Sequence, residues 1–203
     1  QRVSDTMSYC CADDFGMSEE SCGRIRECIK YGALNKVSVF PNTAIQDIDL
    51  PKVTLSVHLN LVEGKPVSNP EELPLLTDDR GYFKHSFTGL LLLSLSSCKD
   101  DLKKQIYSEI KNQIKRCKAM GMKCEAIDSH QHTHMIPLIF SELLKACGEE
   151  GIEYIRIPSE PLLPYVLSPS LYLSYRPINI IKQWLLKIFA LINKKGLKKS
   201  GIK

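Results

Sequence analysis

A strand followed directly by a helix is predicted by residues 7–32, MSYCCADDFGMSEESCGRIRECIKYG. The segment begins with apolar and small residues and then reaches the acidic pair Asp13-Asp14. Ser18, followed by two glutamates, is typical of a helix N-cap with acidic residues in the first turn. Gly32 is of the residue type that most often follows the end of a helix. The order strand, polar turn, helix is the first half of a βαβ unit.

The same alternation continues along the chain. Further strands are predicted at 36–40, 54–61, 126–127 and 152–157, and further helices at 100–120 and 137–147. Strands that alternate with helices favour an α/β fold with a parallel sheet. About five such strands leave two architectures open, a doubly wound open sheet and part of a (β/α) barrel. The 203 residues are enough for a single domain, 1–203, with a sizeable core.

Three segments depart from this alternation. Residues 62–98 predict a long connection rich in proline, glycine and serine, which is typical of a functional loop. Residues 161–177 contain four prolines and predict an irregular traverse. Residues 178–193 predict a helix that is apolar over most of its surface and must therefore pack against something. We expect this helix to form a homo-oligomer by burying its apolar surface against a second copy.

The composition excludes several classes of protein. All 23 acidic residues precede residue 161, whereas residues 161–203 hold eight basic residues. This basic end is not accompanied by interleaved aromatic residues or a known motif, so we expect no nucleic-acid partner. No run of about 18 apolar residues predicts a membrane span. The eight cysteines lack metal-ligand spacing, and the sequence begins without an apolar signal segment, which favours reduced thiols in a cytoplasmic protein.

Polar side chains lie at or after the ends of three predicted strands. Asp13 and Asp14 follow the first strand, His58 lies in the third, and DSHQHTH at 128–134 follows the fourth. Because the carboxyl ends of parallel strands share one face of the fold, these distant residues are expected to meet. Two imidazoles and a carboxylate are suitable ligands for a divalent ion and leave positions for water and substrate.

Each of these features has an ordinary alternative when it is considered alone. An Asp-Asp pair can simply form a turn, and a lone histidine in a strand is more often structural. The histidine run can be a hydrogen-bonded polar loop. If its backbone is extended instead, His130, His132 and His134 share one face. The convergence of all three features is what favours a metal site.

Three segments are similar to the signature stretches of the YdjC-like carbohydrate deacetylases, namely CADDFGMS (11–18), SVHLNLVEGKPVS (56–68) and IDSHQHTHMIP (127–137). Their order and gaps also fit, as does YIRIPSE at 154–160. The resemblance implies a (β/α) barrel of the deacetylase type, which we expect to be incomplete at the carboxyl end. It also implies a metal-dependent hydrolase that removes the acetyl group from N-acetylated sugars such as chitooligosaccharides. The implied cofactor is one divalent ion, Mg²⁺ by resemblance, although Zn²⁺ suits the same donors.

The resemblance also implies roles for individual residues. The metal ligands are expected to be Asp14, His58 and His130. Asp13 is expected to be the catalytic base towards a metal-activated water. Substrate contacts or support for the ligands are expected from His132, His134, Asp128, Asn60 and Arg156. Asp128 would orient a neighbouring imidazole, since ligating histidines usually need such a partner.

One departure from the family pattern keeps other functions open. Family members carry a further histidine in a His-Pro-Gly setting near the carboxyl end, whereas this sequence has none after His134. A catalytically impaired metal-binding module without that general acid is therefore one alternative. A phosphoesterase on the same scaffold is another, because carboxylates and histidines also serve two-metal chemistry. Two ions per chain would favour phosphoester cleavage, and one ion would favour deacetylation.

Overall fold

A computed structural model describes residues 10–44, 48–158 and 177–203, with the side chains of the last range described from residue 181. The strands are Cys11–Phe15 (β1), Lys36–Val39 (β2), Thr54–Leu59 (β3), Ala126–Ser129 (β4) and Tyr154–Ile155 (β5). The α-helices are Glu19–Lys30 (α1), Phe87–Ser94 (α2), Lys99–Ala119 (α3), Pro137–Glu150 (α4) and Pro177–Ser200 (α5). The described residues also contain two 3₁₀ helices, Pro70–Glu72 and His130–Met135.

The five strands form one parallel sheet in the order β1-β2-β3-β4-β5. The predicted α/β class with a parallel sheet is therefore confirmed. The order follows the chain without a reversal, as it does in (β/α) barrels and not in doubly wound sheets. Among the described residues the sheet is open, with β1 and β5 at its edges, so the closed barrel is not confirmed.

The sheet is strongly curved, as a contact between its two edge strands demonstrates. In a flat sheet, four spacings of about 4.8 Å would separate β1 from β5 by about 19 Å. Arg156, which directly follows β5, nevertheless forms two hydrogen bonds with Asp13 of β1, at 2.9 and 2.7 Å. These two side chains together cannot reach across a flat sheet, so the edges must bend towards each other.

The chain returns to β5 after helix α5. The Lys203 N–H donates to the Glu153 carbonyl, and the Ile155 N–H donates to the Lys203 carbonyl, both at 2.9 Å. The two bonds flank Tyr154, which is the hydrogen-bond pattern of a parallel pair. Helix α5 therefore leads back to the edge of the sheet in the way that a βαβ crossover helix does.

The hydrophobic core lies between the sheet and helices α3 and α4. Helix α3 buries Leu102, Ile106, Ile110 and Ile114 completely, at the four-residue spacing that the sequence predicted. Helix α1 begins at the predicted cap, where the Ser18 side chain accepts a hydrogen bond from the Ser21 N–H. Local signals of this kind explain why these helices were predictable.

Two elements differ from the sequence predictions. Helix α2 lies inside the segment that was predicted as a connection. The sequence did not predict this helix, because the apolar residues of FTGLLLLS show no helical periodicity. Helix α4 continues through Gly148 and ends at Gly151, whose left-handed φ of 72° terminates it. The predicted traverse at 161–177 lies almost entirely outside the described residues.

Helix α5 is longer than predicted and has two unlike faces. One face buries Leu186, Phe189 and Asn193, and the Asn193 side chain donates to the Met135 carbonyl at 2.8 Å. The opposite face exposes a stripe of five apolar side chains, Ile181, Trp184, Ile188, Leu191 and Ile192. In the described part of the chain, no helix combines the length and hydropathy needed to cross a bilayer. The homo-oligomer predicted from this helix stays a prediction.

Substitution of Trp184 by glutamate tests whether the stripe mediates self-association. Burial of the exposed indole contributes about 2 kcal/mol to association, so Trp184→Glu should weaken a dimer by tenfold or more. Sedimentation equilibrium over a range of concentrations measures this change. The control is Tyr31→Glu, which alters an exposed aromatic side chain outside the stripe. A wild-type chain that stays monomeric at all concentrations would rule the homo-oligomer out.

Candidate active site

A bulge at the end of β1 directs two adjacent carboxylates into the same site. Successive residues of a regular strand face opposite sides of the sheet, so Asp13 and Asp14 would normally diverge. The ladder between β1 and β2 shifts register between Ala12 and Phe15, and Asp14 has a left-handed φ of 65°. Bulges commonly redirect side chains near functional sites. The Asp14 carbonyl is fixed by the Met17 N–H at 3.2 Å.

His58 is held between two carboxylates. It lies opposite Asp128 in the ladder of β3 and β4, and its Nδ1 lies 2.5 Å from Asp128 Oδ1. Its Nε2 lies 3.0 Å from Asp14 Oδ1. The second oxygen of Asp128 accepts a hydrogen bond from the Ser38 hydroxyl at 2.6 Å. Asp128 therefore contacts Nδ1 of His58, and its predicted role in orienting an imidazole stays a prediction.

His130 approaches the same carboxylate oxygen from the other side. Its Nδ1 lies 2.8 Å from Asp14 Oδ1, and its Nε2 lies 3.5 Å from Glu63 Oε1. The edge of the Phe40 ring packs beside it, with ring centroids 5.3 Å apart. Asp14 therefore lies between the two imidazoles that the sequence analysis paired with it.

Three donor atoms converge in this arrangement. One ligand atom each from Asp14, His58 and His130 lies within 4.8 Å of the other two. Such a set of nitrogen and oxygen donors can hold a divalent metal ion. Asp13, His58 and Asp128 form a second set, whose ligand atoms also lie within 4.8 Å of one another. That set is less suitable, because Asp128 is fully buried and both of its carboxylate oxygens are already engaged, by His58 on one side and by Ser38 and Arg156 on the other.

Arg156 connects the side chains of Asp13 and Asp128. Besides its two bonds to Asp13, its Nη1 lies 3.2 Å from Asp128 Oδ2. The backbone carbonyl of Arg156 accepts a hydrogen bond from Nε2 of His134 at 2.9 Å. His134 is fully buried, and its Nδ1 lies 2.5 Å from the Ser129 hydroxyl. His134 is therefore buried between Ser129 and the Arg156 backbone, and its predicted role stays a prediction.

The extended backbone considered for the histidine run is wrong. The run forms a 3₁₀ helix with left-handed φ angles at Gln131 and His132, so His130, His132 and His134 do not share one face. His132 is half-buried. Asn60 is fully buried, and its side chain accepts hydrogen bonds from the Val62 and Glu63 N–H groups of the adjoining loop.

The carboxylates and imidazoles shift one another's protonation. Burial lowers the pKa of His58, but the hydrogen bonds to Asp128 and Asp14 outweigh burial and raise this pKa to about 9. Hydrogen bonds from His130 and His58 hold the pKa of Asp14 well below its usual range. Burial lowers the pKa of His134 to about 4, which keeps this imidazole neutral. In the absence of a metal ion, the site therefore holds a proton on His58.

Four residues of the site were not singled out from the sequence. Ser38 binds Asp128, Phe40 packs against His130, and the thiol of Cys11 lies 3.4 Å from Asp13. Glu63 lies beside His130. Cys11 and Glu63 belong to the quoted segments that carry the aspartate pair and His58, whereas Ser38 and Phe40 lie outside all three segments and gave no signal.

Comparison with known proteins identifies the family. The sequence matches the family model described as YdjC-like protein over residues 9–201. The chain belongs to the YdjC-like family. It is similar to a carbohydrate deacetylase of Thermoanaerobacter pseudethanolicus, with 36% identity over 158 residues that cover 74% of this chain and 59% of the relative. A carbohydrate deacetylase of Danio rerio is 29% identical over 159 residues, which cover 75% of this chain and 50% of that protein.

A solved structure supports the fold of this YdjC-like chain. It is the crystal structure of a putative cellobiose-phosphate cleavage protein from Enterococcus faecalis, with a TM-score of 0.61 and 24% identity. The match covers 82% of this chain and 64% of that protein. The matched part of the chain spans about half to three-fifths of the length of the two similar carbohydrate deacetylases.

The contribution of Arg156 to stability can be measured with a matched pair of variants. Arg156→Met removes the guanidinium that Asp13 and the buried Asp128 share, so we expect the free energy of unfolding to fall by about 2 kcal/mol. Arg24→Met, which removes an exposed ion pair with Glu20, should change it by less than about 0.5 kcal/mol. Urea denaturation measures both changes. Equal losses in the two variants would contradict the bridging role.

The pKa of His58 predicts how metal affinity depends on pH. Because this pKa is raised to about 9, an ion must displace a proton from His58 throughout the range below pH 9. The dissociation constant for a divalent ion should therefore fall about tenfold per unit between pH 7 and 9. In Asp128→Asn the affinity for the ion should level off at a lower pH, because the hydrogen bond from residue 128 that raises the pKa of His58 is weakened. Calorimetric titration measures both curves, and a flat curve for the wild type would contradict the assignment.

Proposed function

We propose that this chain is a metal-dependent carbohydrate N-deacetylase that removes acetyl groups from N-acetylated sugars such as chitooligosaccharides. The observation that carries the proposal is the convergence of Asp14, His58 and His130 next to the carboxylate of Asp13. Family membership and the names of the similar deacetylases support the reaction class. The sugar specificity is inferred from the resemblance of the three sequence motifs.

The proposed ligands are Asp14, His58 and His130, and they suit one divalent ion. A divalent ion at such a site lowers the pKa of a coordinated water and polarises a carbonyl oxygen. The resemblance favours Mg²⁺, whereas the two imidazoles suit Zn²⁺ as well. Asp128 holds Nδ1 of His58, so that Nε2 is presented to the site.

The remaining residues of the site have distinct proposed tasks. Asp13 is the base that accepts a proton from the attacking water at a carboxylate oxygen. Arg156 fixes the orientation of this carboxylate through its two hydrogen bonds. The Asp13 side chain is about one-third exposed, with a relative accessibility of 35%, so water can reach it. Phe40 packs against both ligating imidazoles and limits their rotation.

The (β/α) barrel also remains a proposal. It is supported by the sequential strand order, by the curvature that brings Asp13 to Arg156, and by the pairing of Lys203 with β5. In such barrels the active site lies at the carboxyl ends of the strands, which is where the proposed ligands are found.

A phosphoesterase is less well supported by the charges around the site. Phosphoester cleavage uses cations that clamp the phosphoryl group. Arg156 is already paired with two carboxylates, and Lys65 lies over the ring of Tyr82, 5.1 Å from its centroid. The second donor set shares His58 with the first, so the two sets cannot both use its Nε2 for separate ions.

Acetate release from N-acetylglucosamine oligomers tests the proposal. Asp13→Asn should lower the turnover number by a factor of at least about 100, because the amide cannot accept the proton. Calorimetry should give one ion per chain for the wild type and for Asp13→Asn. Asp100→Asn, an exposed carboxylate on α3, serves as the control and should leave activity unchanged.

The other functions predict different results in the same experiments. A wild-type chain that binds one ion but releases no acetate from any N-acetylated sugar would be an impaired metal-binding module. Two ions per chain together with phosphatase activity would identify a phosphoesterase.

A further inference from the structure

Each of the two imidazoles of the site lies between Asp14 and a second carboxylate. His58 turns Nε2 to Asp14 and Nδ1 to Asp128. His130 turns the opposite nitrogen, Nδ1, to Asp14, and its Nε2 lies 3.5 Å from Glu63 Oε1. Asp128 was expected from the sequence to orient an imidazole, whereas Glu63 was given no role.

We infer that Glu63 is the positioning residue of His130. When an ion takes the place of the hydrogen that Nδ1 donates to Asp14, Glu63 accepts the hydrogen of Nε2, 3.5 Å away, and the Nδ1 lone pair is left for the ion. A histidine can ligate a metal through either nitrogen, and the hydrogen bond at the other nitrogen decides which one is free. The inference rests on the proposed function, because it concerns the ion that Asp14, His58 and His130 are proposed to hold.

The loop around Glu63 is built to hold this residue in place. The Asn60 side chain accepts hydrogen bonds from the Val62 and Glu63 N–H groups at 3.1 and 3.0 Å. It also donates to the Glu63 carbonyl at 2.6 Å. One fully buried amide therefore fixes both peptide groups of Glu63, which a mobile surface glutamate would not require.

The anchor continues into the core. The Asn60 N–H donates to Gln113 Oε1 at 2.9 Å, and Nε2 of Gln113 donates to the Asn60 carbonyl at 2.5 Å. Gln113 in turn donates to Glu109, whose two oxygens accept the N–H groups of Val67 and Ser68. Buried side chains of α3 therefore hold the loop on both sides of Glu63.

The nearest lysine in the sequence, Lys65, contacts an aromatic ring, whereas the carboxylate of Glu63 contacts His130. Lys65, two residues further on, is engaged with the ring of Tyr82. Within the described ranges, the ion-pair contact of Glu63 is the one with His130 Nε2. A carboxylate beside Nε2 lies away from the Nδ1 lone pair, because the two ring nitrogens point in divergent directions. Glu63 therefore acts through His130 and is not itself one of the three converging ligands.

The test measures metal affinity and the binding nitrogen as well as activity. The probes are Zn²⁺ and Mg²⁺ alone, titrated into wild type, Glu63→Ala and Glu63→Gln. Loss of a partner behind a ligating histidine weakens binding by about 10- to 100-fold, which is expected for Glu63→Ala. Glu63→Gln should recover part of the loss, because its amide oxygen still accepts a hydrogen bond. Glu71→Gln, an exposed glutamate in the same loop, is the control and should bind like wild type.

Nuclear magnetic resonance of the Zn²⁺-loaded protein identifies the binding nitrogen. The wild type should show a protonated Nε2 and a metal-bound Nδ1 at His130, and Glu63→Ala should show a weakened preference for this tautomer. Unchanged affinity in Glu63→Ala, or binding of His130 through Nε2, would overturn the inference. Because the backbone of Glu63 is held by Asn60, the variant should keep the wild-type circular dichroism spectrum.

A separate pair of variants distinguishes this failure from failure of the proposed function. His58→Ala and Asp14→Ala should abolish specific binding of the ion if the proposed site exists. If they do so while Glu63→Ala has no effect, only the role of Glu63 is wrong. If they also bind the ion like wild type, the proposed metal site itself is wrong.

Discussion

The ion pair between Arg156 and Asp13 joins the two edge strands of the sheet across its concave face. Without strong curvature the two residues could not meet, and with it the carboxyl ends of all five strands point into one shared space. The same guanidinium also neutralises Asp128, which in turn holds His58. Together with the proton held on His58, this guanidinium offsets the mutual repulsion of several carboxylates crowded into a partly buried site.

The irregular backbone at the end of β1 is what directs both adjacent aspartates into the site. A regular strand would send one of the two aspartates into the site and the other to the opposite face. The bulge and the left-handed conformation of Asp14 place both carboxylates on one side, at a cost of about 1–2 kcal/mol in backbone strain. Gly16 completes the turn, since a Cβ there would lie 2.9 Å from the side chain of Thr43. The two aspartates can then serve different tasks while adjacent in sequence.

The sequence predicted those parts of the molecule that depend on local signals. The cap at Ser18, the four-residue spacing in α3 and the polar residues at the strand ends all gave such signals. Helix α2 was missed because four consecutive leucines carry no periodicity. The histidine run was open to an extended interpretation because nothing in its residue types reveals the left-handed turn at Gln131 and His132. Contacts such as Arg156 with Asp13 depend on curvature, which arises only from the packing of the whole sheet.

The pairing of Lys203 with β5 has a consequence for solubility. An unpaired edge strand offers a row of free N–H and C=O groups that can template pairing with another chain and so promote aggregation. At β5, these main-chain groups around Tyr154 are already used by Lys203. At the other edge, β1 has only five residues and is interrupted by its bulge, which makes it a poor template. The irregularity that aims the two aspartates thus also protects the sheet against edge-to-edge association.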